Sequence, residues 1–235
     1  ALKILSDNNL NLSNNSLSLF LKFGYISSPN SIYEGIYKLP PSSYLVINND
    51  CSFSKPKRWW NFKEIAEINS KKRNSFSDLY LPSDLESLLF KAIEEQMISD
   101  VPIGAFLSGG IDSSLIVSIM QSLSNKPIKT FTIGFEEKEF NEADQALAIA
   151  KHIGTDHNNF ILRSKDSLEI IPKLSDIYDE PFADSSQIPT ALLCKITSSN
   201  VKVSLSGDAG DELFGGYSRY IIANSIWKKI KHLPL

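Results

Sequence analysis

Two short runs bring glycine, serine and carboxylate together at spacings that suit chemistry on a polyphosphate. The first is SGGIDSS, Ser108 to Ser114. Gly109 and Gly110 let the backbone approach a ligand closely, and the unpaired amides and dipole of a helix starting there favour an anion. A Walker loop would need a lysine at the end of GxxxxGK and a dinucleotide loop would need GxGxxG; neither spacing occurs at this turn. An acid, Asp112, stands in the turn instead. Beside phosphate that makes sense if a magnesium ion lies between them, since the ion prefers carboxylate and phosphate oxygens. The second run is SGDAGDE, Ser206 to Glu212, with the carboxylates Asp208, Asp211 and Glu212. Alone it reads as an acidic turn. Beside the first run, Asp112 and Asp211 read as a pair of magnesium ligands carried on two neighbouring strand ends.

For the runs to meet, the elements around them must be strands that end at one edge. VPIGAFL, before Ser108, is short and apolar like a buried parallel strand, and Ile111, Leu115, Ile116, Ile119, Met120 and Leu123 recur after it at helical spacing. KPIKTFTIGF gives a second strand, Ile128 to Phe135, with Ile133 and Gly134 near its end. Asn141 is placed to cap the next helix, whose Ala143, Ala146, Leu147 and Ala150 share a face that stops near Gly154. HNNFIL is a third strand, two helical stretches flank DEPFADSSQIPT, and VKVSL leads as a fourth strand into the second acidic run. Strand and helix alternate, which specifies an α/β fold with a doubly wound parallel sheet and ligands outside the carboxyl ends of its strands. SGGIDSS, IGF and SGDAGDE should come together there. The helix before the first strand is announced by a capping box, Ser83 to Glu86, with Leu85, Leu88, Leu89, Ala92, Ile93, Gln96 and Met97 along its face, so a domain begins near Pro82.

The chain has 235 residues, 42% hydrophobic and 22% charged, with a formal net charge of -3 and no basic block, which argues against a nucleic-acid partner. Cys51 and Cys194 lack CxxC spacing, which argues against zinc and for a reducing compartment. No signal peptide or apolar run of membrane-spanning length occurs, and a cytoplasmic location is expected. The first sixty residues have another texture. Leu17 to Phe23 suits a short helix stopped at Gly24, and Tyr44 to Ile47 suits a strand ending in a turn at Asn48, Asn49 and Asp50. Lys63 to Leu81 is polar, carries KKR at Lys71 to Arg73 and keeps no apolar period, as an interdomain linker would. Cys51, in a turn, and Cys194, in an apolar helical run, read as packing residues. Tyr217, Tyr220 and Trp227, at helical spacing, read as core, and His152, His157 and His232 as structural or surface residues without ligand spacing. A start at Ala1 and an end at HLPL suggest a piece of a longer protein.

Longer matches identify a family. GYISSPNSIYEGIYKLPPSSYLVI, followed by a short hairpin and RWWNF, resembles the closing segment of the glutaminase domain in glutamine-hydrolysing asparagine synthetases of the bacterial long type. SGGIDSS resembles the pyrophosphatase loop of the N-type ATP pyrophosphatases, and SGDAGDELFGGY resembles the family segment written SGEGSDE or SGDGGDE before phenylalanine and GY. There are two departures. Asp208 is the shorter of the two acids the family uses, and Ala209 replaces a frequent glycine, unfavourably if that position needs positive φ.

The resemblance implies a fold of the adenine nucleotide α-hydrolase-like kind, preceded by a small mixed segment from an N-terminal-nucleophile glutaminase. Residues 1–62 would be the remnant of that glutaminase (class II amidotransferase) domain, 63–81 the linker and 82–235 the first part of an ATP-dependent synthetase domain. In the intact enzyme the side-chain carboxylate of aspartate would attack the α-phosphorus of ATP, pyrophosphate would leave with magnesium, and ammonia, from glutamine or free, would displace AMP from the β-aspartyl adenylate. By motif match, Leu107, Ser108, Gly109, Gly110, Asp112, Ser113, Ile133, Gly134, Ser206 and Gly207 would bind ATP, with Leu107 and Ile133 at the adenine. Asp112 and Asp211 would hold Mg2+, and Asp208 would be the catalytic carboxylate that helps form or consume the adenylate, as a base towards ammonia. Asp184 and Ser185 would form site wall, and a homodimer would be the assembly. The glutaminase nucleophile of the family is an amino-terminal cysteine, a position neither Cys51 nor Cys194 holds. A relative that adenylates another carboxylate, such as a β-lactam synthetase, and a silent nucleotide-binding module are the alternatives. The glutaminase-like tail favours asparagine synthesis over the first, and the intact Gly109, Gly110, Asp112, Asp208 and Asp211 count against the second.

Overall fold

The computed structural model describes residues 10–72, 82–136 and 142–231. In chain order its elements are α1 (Asn14–Phe23), β1 (Ser43–Tyr44), β2 (Lys57–Arg58), α2 (Phe62–Lys72), α3 (Pro82–Gln96), β3 (Ile103–Phe106), α4 (Ile111–Leu123), β4 (Lys129–Phe135), α5 (Ala143–Ile153), β5 (Asp156–Leu162), α6 (Ser164–Ile170), α7 (Leu174–Ile177), α8 (Gln187–Thr197), β6 (Val203–Leu205), α9 (Gly210–Phe214) and α10 (Ser218–Ile230), with a 3-10 turn at Ile171–Lys173. They fall into two compact units, Leu85–Leu168 with Leu192–Leu235, and Ala1–Asp84 with Glu169–Ala191.

The unit that carries both acidic runs is built on a four-stranded sheet in the order β5-β4-β3-β6, every pair parallel. Successive strands step outward from β3 to β5, and then β6 returns to the far side of β3. Such a reversal opens a crevice between the carboxyl ends of β3 and β6, where α/β folds bind ligands. Apolar burial holds the sheet. Ala105, Leu107, Val117, Ile119, Met120, Ile128, Ala146 and Ala150 form one core with Ile93 of α3. Ala143, Ala146 and Ala150 are the buried side of α5, as their spacing predicts, and Gly154 ends that helix in the left-handed conformation at φ 85°. Small side chains let α5 sit close to β4 and β5.

Several expectations change in detail. Within α4 the buried residues are Ser113, Val117, Ile119 and Met120, whereas Ile111 is 86% exposed and Leu115 and Leu123 are also exposed. The helix turns Ser113 inward because that hydroxyl bonds the preceding loop. α3 begins at Pro82, whose fixed φ suits a first helical position, so Ser83 lies inside the first turn instead of capping it. On its face Ile93 is buried while Leu85 and Leu88 are exposed. Asn141, His232 and Arg73 to Leu81 lie outside the described residues; Glu142 is the N-cap of α5. Tyr220 and Trp227 are exposed and α10 buries no residue, so the aromatic spacing there marks a shared face and not a core. Both cysteines are exposed free thiols instead of packing residues, because the apolar run of α8 buries Ala191 and Leu192 and leaves Cys194 off that side.

In the other unit, α1 is capped by Ser13, whose side chain accepts the Ser16 amide, and stopped by Gly24 at φ 77°. β1 and β2 pair as a short antiparallel ladder, Ser43 opposite Arg58, and Ile47 bridges Phe53 around the turn. The polar stretch from Lys63 is helical up to Lys72. Asn61 accepts the Lys63 amide at 3.1 Å and donates to Glu64 at 2.7 Å, which starts a helix that brings Phe62, Ile65 and Ala66 to one side. The 169–191 segment is tied to the amino-terminal part by the Ala183 amide on the Gly24 carbonyl, 2.7 Å, and by Glu180, which ion-pairs with Lys38 and accepts the Ile32 amide. A cavity of about 520 Å³ lies in this unit, lined by Leu12, Leu17, Ile32, Tyr178 and Phe182 among others.

Candidate nucleotide site

β3 delivers the chain to the SGGIDSS turn through Leu107, which is 1% exposed and fixed on both sides of its peptide. Its amide donates to the Phe131 carbonyl at 2.9 Å, and its carbonyl accepts the Thr132 hydroxyl. The turn then closes through its own serines. The Ser108 amide donates to Ser113 Oγ at 3.2 Å, the two hydroxyls lie 3.0 Å apart, and the Gly110 amide donates to Ser108 Oγ at 3.3 Å. Ser114 Oγ donates to the Gly110 carbonyl at 2.6 Å. Gly109 takes φ 84°, a left-handed value that requires glycine or near it. Gly110 caps α4 without a side-chain bond, so the first amides of a 13-residue helix face the turn uncapped by any side chain.

Neighbouring strands flank this turn. Phe106 pairs with Phe131, so Ile133, half-buried, and Gly134, buried, run on beside the Ser108 turn. On the other side Ala105 pairs with Leu205, which brings Ser206 and Gly207 alongside. The contact there is tight: a Cβ on Gly207 would lie 2.6 Å from the Ser113 amide nitrogen and 2.9 Å from the Asp112 carbonyl carbon. A Cβ on Gly210 would run into the Asp112 carboxylate. The two acidic runs are thus in direct contact across the strand-order reversal.

Ser206 Oγ donates to the exposed Asp208 carboxylate at 2.9 Å. Ala209 adopts φ 75°, the positive value that its replacement of glycine made unfavourable. Asp211 lies in the first turn of α9 and its carboxylate lies against Gly216, whose amide donates to the Asp211 carbonyl at 3.0 Å. Glu212 accepts the Tyr217 hydroxyl at 2.7 Å, and that bond holds the Glu212 carboxyl below its ordinary value and the Tyr217 phenol above it. Arg219 stacks 4.0 Å from the centre of the Tyr217 ring.

All of the expected nucleotide residues therefore lie on the β3, β4 and β6 ends of one unit. Asp184 and Ser185 belong to the other unit, where Asp184 accepts the Ser186 amide and hydroxyl and its carboxyl is lowered by them. Two contributors were not read from sequence. Thr132 is hidden in an apolar strand, and Gln145 donates to the Gly109 carbonyl at 2.9 Å from 36 residues away, a pairing that no local spacing signals. Among the described residues no group of three or more His, Cys, Asp or Glu converges as a metal site. Magnesium needs no such group where phosphates and water supply the remaining oxygens, and carboxylates on two adjoining loops suit it.

Residues 84–235 match the asparagine synthase family. The chain is 36% identical over 212 residues to the provisionally named glutamine-hydrolysing asparagine synthetase 2 of Methanocaldococcus jannaschii, covering 90% of this chain and 40% of that protein. It is 31% identical over 217 residues to glutamine-hydrolysing asparagine synthetase 1 of Bacillus subtilis, covering 92% and 33%. The chain therefore spans well under half the length of these relatives. Among solved structures, the NMN synthetase of Francisella tularensis is similar at 14% identity and a TM-score of 0.42, over 59% of each chain.

Proposed function

Because the chain belongs to the asparagine synthase family, we propose that it works within a longer glutamine-hydrolysing asparagine synthetase and supplies the nucleotide side of its site. One observation carries this reading: Gly207 lies in backbone contact with Asp112 and Ser113, so the SGGIDSS and SGDAGDE loops form one crevice at the strand-order reversal.

In that crevice the amides of Gly110 and of the α4 start hold the β- and γ-phosphates of ATP, with Ser108 and Ser113 turning their hydroxyls from each other to the ligand. Leu107 and Ile133 bound the adenine, and Ser206, Gly207 and Gly134 close the sides. The aspartate carboxylate attacks the α-phosphorus and pyrophosphate leaves, giving the β-aspartyl adenylate. Ammonia then displaces AMP, with Asp208, steadied by Ser206, taking up the proton. Asp112 and Asp211 would hold a magnesium ion, which neutralises charge on the leaving pyrophosphate. A division into a glutaminase tail (1–62), a linker (63–81) and a synthetase part (82–235), a cytoplasmic location and a homodimer belong to the same proposal; among the described residues no helix is long and apolar enough to cross a membrane.

The test is exchange of labelled pyrophosphate into ATP, with aspartate present, in the longer protein. Asp112→Asn and Asp211→Asn should each abolish exchange, and the double variant should be little worse than either, because residues acting on one ion are non-additive. Losses that simply multiply, or exchange near the normal rate, would remove the joint metal role.

A further inference from the structure

We propose that Gln145 is a positioning residue of the nucleotide loop, an assignment that rests on the nucleotide reading above. Its side-chain amide, on the first turn of α5, donates to the Gly109 carbonyl at 2.9 Å. The α5 start packs against the same residue: a Cβ on Gly109 would lie 3.1 Å from the Ala146 amide nitrogen and 3.1 Å from Gln145 Cγ. The peptide between Gly109 and Gly110 is planar and trans, so its carbonyl and its N–H point in opposite directions. A glycine on each side makes this the peptide most free to flip, since neither end is restricted by a Cβ. Gln145 removes that freedom. With the carbonyl held outward towards α5, the Gly110 N–H is turned into the loop, where its partner is Ser108 Oγ at 3.3 Å. That bond is long enough to be exchanged for a phosphate oxygen. A flipped peptide would present a carbonyl to the phosphate and repel it.

A structural role and a positioning role make opposite predictions for one substitution. Gln145 is the third residue of α5, where a carboxylate is favoured by the helix dipole. Gln145→Glu therefore keeps the fold as stable as before, yet it loses the donor and sets a negative charge against the Gly109 carbonyl. Gln145→Leu loses the donor without the charge, and Gln145→Lys restores a donor of sufficient reach. In the longer enzyme, Gln145→Glu and Gln145→Leu should raise KM for ATP about tenfold with kcat nearly unchanged, the pattern of lost uniform binding, and Gln145→Lys should stay within about threefold of the parent. An unchanged KM in Gln145→Glu, or loss in all three variants tracking a lower melting temperature, would overturn the assignment. Gly110→Val serves as the reference: if it too leaves ATP binding intact, the nucleotide reading has failed; if it abolishes binding while Gln145→Glu does not, only the role of Gln145 has.

Discussion

Ala209 shows how one side chain sets a balance of about a kilocalorie inside the site. At φ 75° an L-residue crowds its own carbonyl, which costs roughly 1–2 kcal/mol, whereas a glycine would lose about 0.4–1 kcal/mol through the entropy of the unfolded chain. The steric cost is the larger, and glycine is also the better residue at the N-cap position Ala209 occupies before α9. Ala209→Gly is expected to stabilise the protein by about 0.5–1 kcal/mol, seen as a higher denaturant midpoint at unchanged slope. A lower midpoint would mean that the methyl group makes a compensating contact. Sequence reading identified this position through the glycine it replaces. It missed Gln145, whose partner is another residue's backbone and so leaves no pattern in the chain.

At the scale of an element, β5 carries a pH dependence. His157 accepts or donates at Nδ1 with Thr130 Oγ1, 3.0 Å away, and Thr130 in turn bonds Thr155 at 2.8 Å, while its Nε2 is buried without a hydrogen-bond partner. Burial lowers its pKa below the ordinary 6.5. The unfolded chain then takes up a proton at a pH where the native state does not. The stability from a neutral His157 is therefore fully present above pH 6.5 and is lost as the pH falls through the lowered native value. Thermal unfolding followed from pH 8 to 5 should fall more steeply for the parent than for His157→Asn, which keeps an acceptor for Thr130 but cannot be protonated there; parallel curves would contradict this. The elements themselves differ in how legible they were. β3, β4 and α5 follow from apolar runs and alanine spacing because they are buried, while β5 and β6, the edge strands, are legible as strands although largely uncovered. α10 and α2 do not, since spacing tells which residues share a side of a helix and nothing about what covers it.

For the whole molecule, the consequence is a surface unusually open to solvent at its aromatic residues. All three tryptophans are exposed, Trp59 at 69%, Trp60 at 42% and Trp227 at 60%, and Ile221, Ile222 and Ile226 lie open along α10. Patches of this kind mark surfaces that another body covers. The 235-residue chain by itself should show red-shifted tryptophan emission readily quenched by iodide, and the longer protein a bluer, less accessible one. Protected emission from the short chain would contradict the exposure described for these rings.

The return of β6 to the far side of β3 also sets when, during synthesis, the proposed nucleotide crevice can first be complete. As the chain emerges from the ribosome, β3, β4 and β5 can pair once residue 162 is out, but Ser206 and Gly207 arrive only after α8 has been made. Until then one wall of the crevice is missing. A ligand stabilises only states that bind it. On the function proposed above, ATP would secure the last strand to join, and the earlier three must hold together on their own apolar contacts.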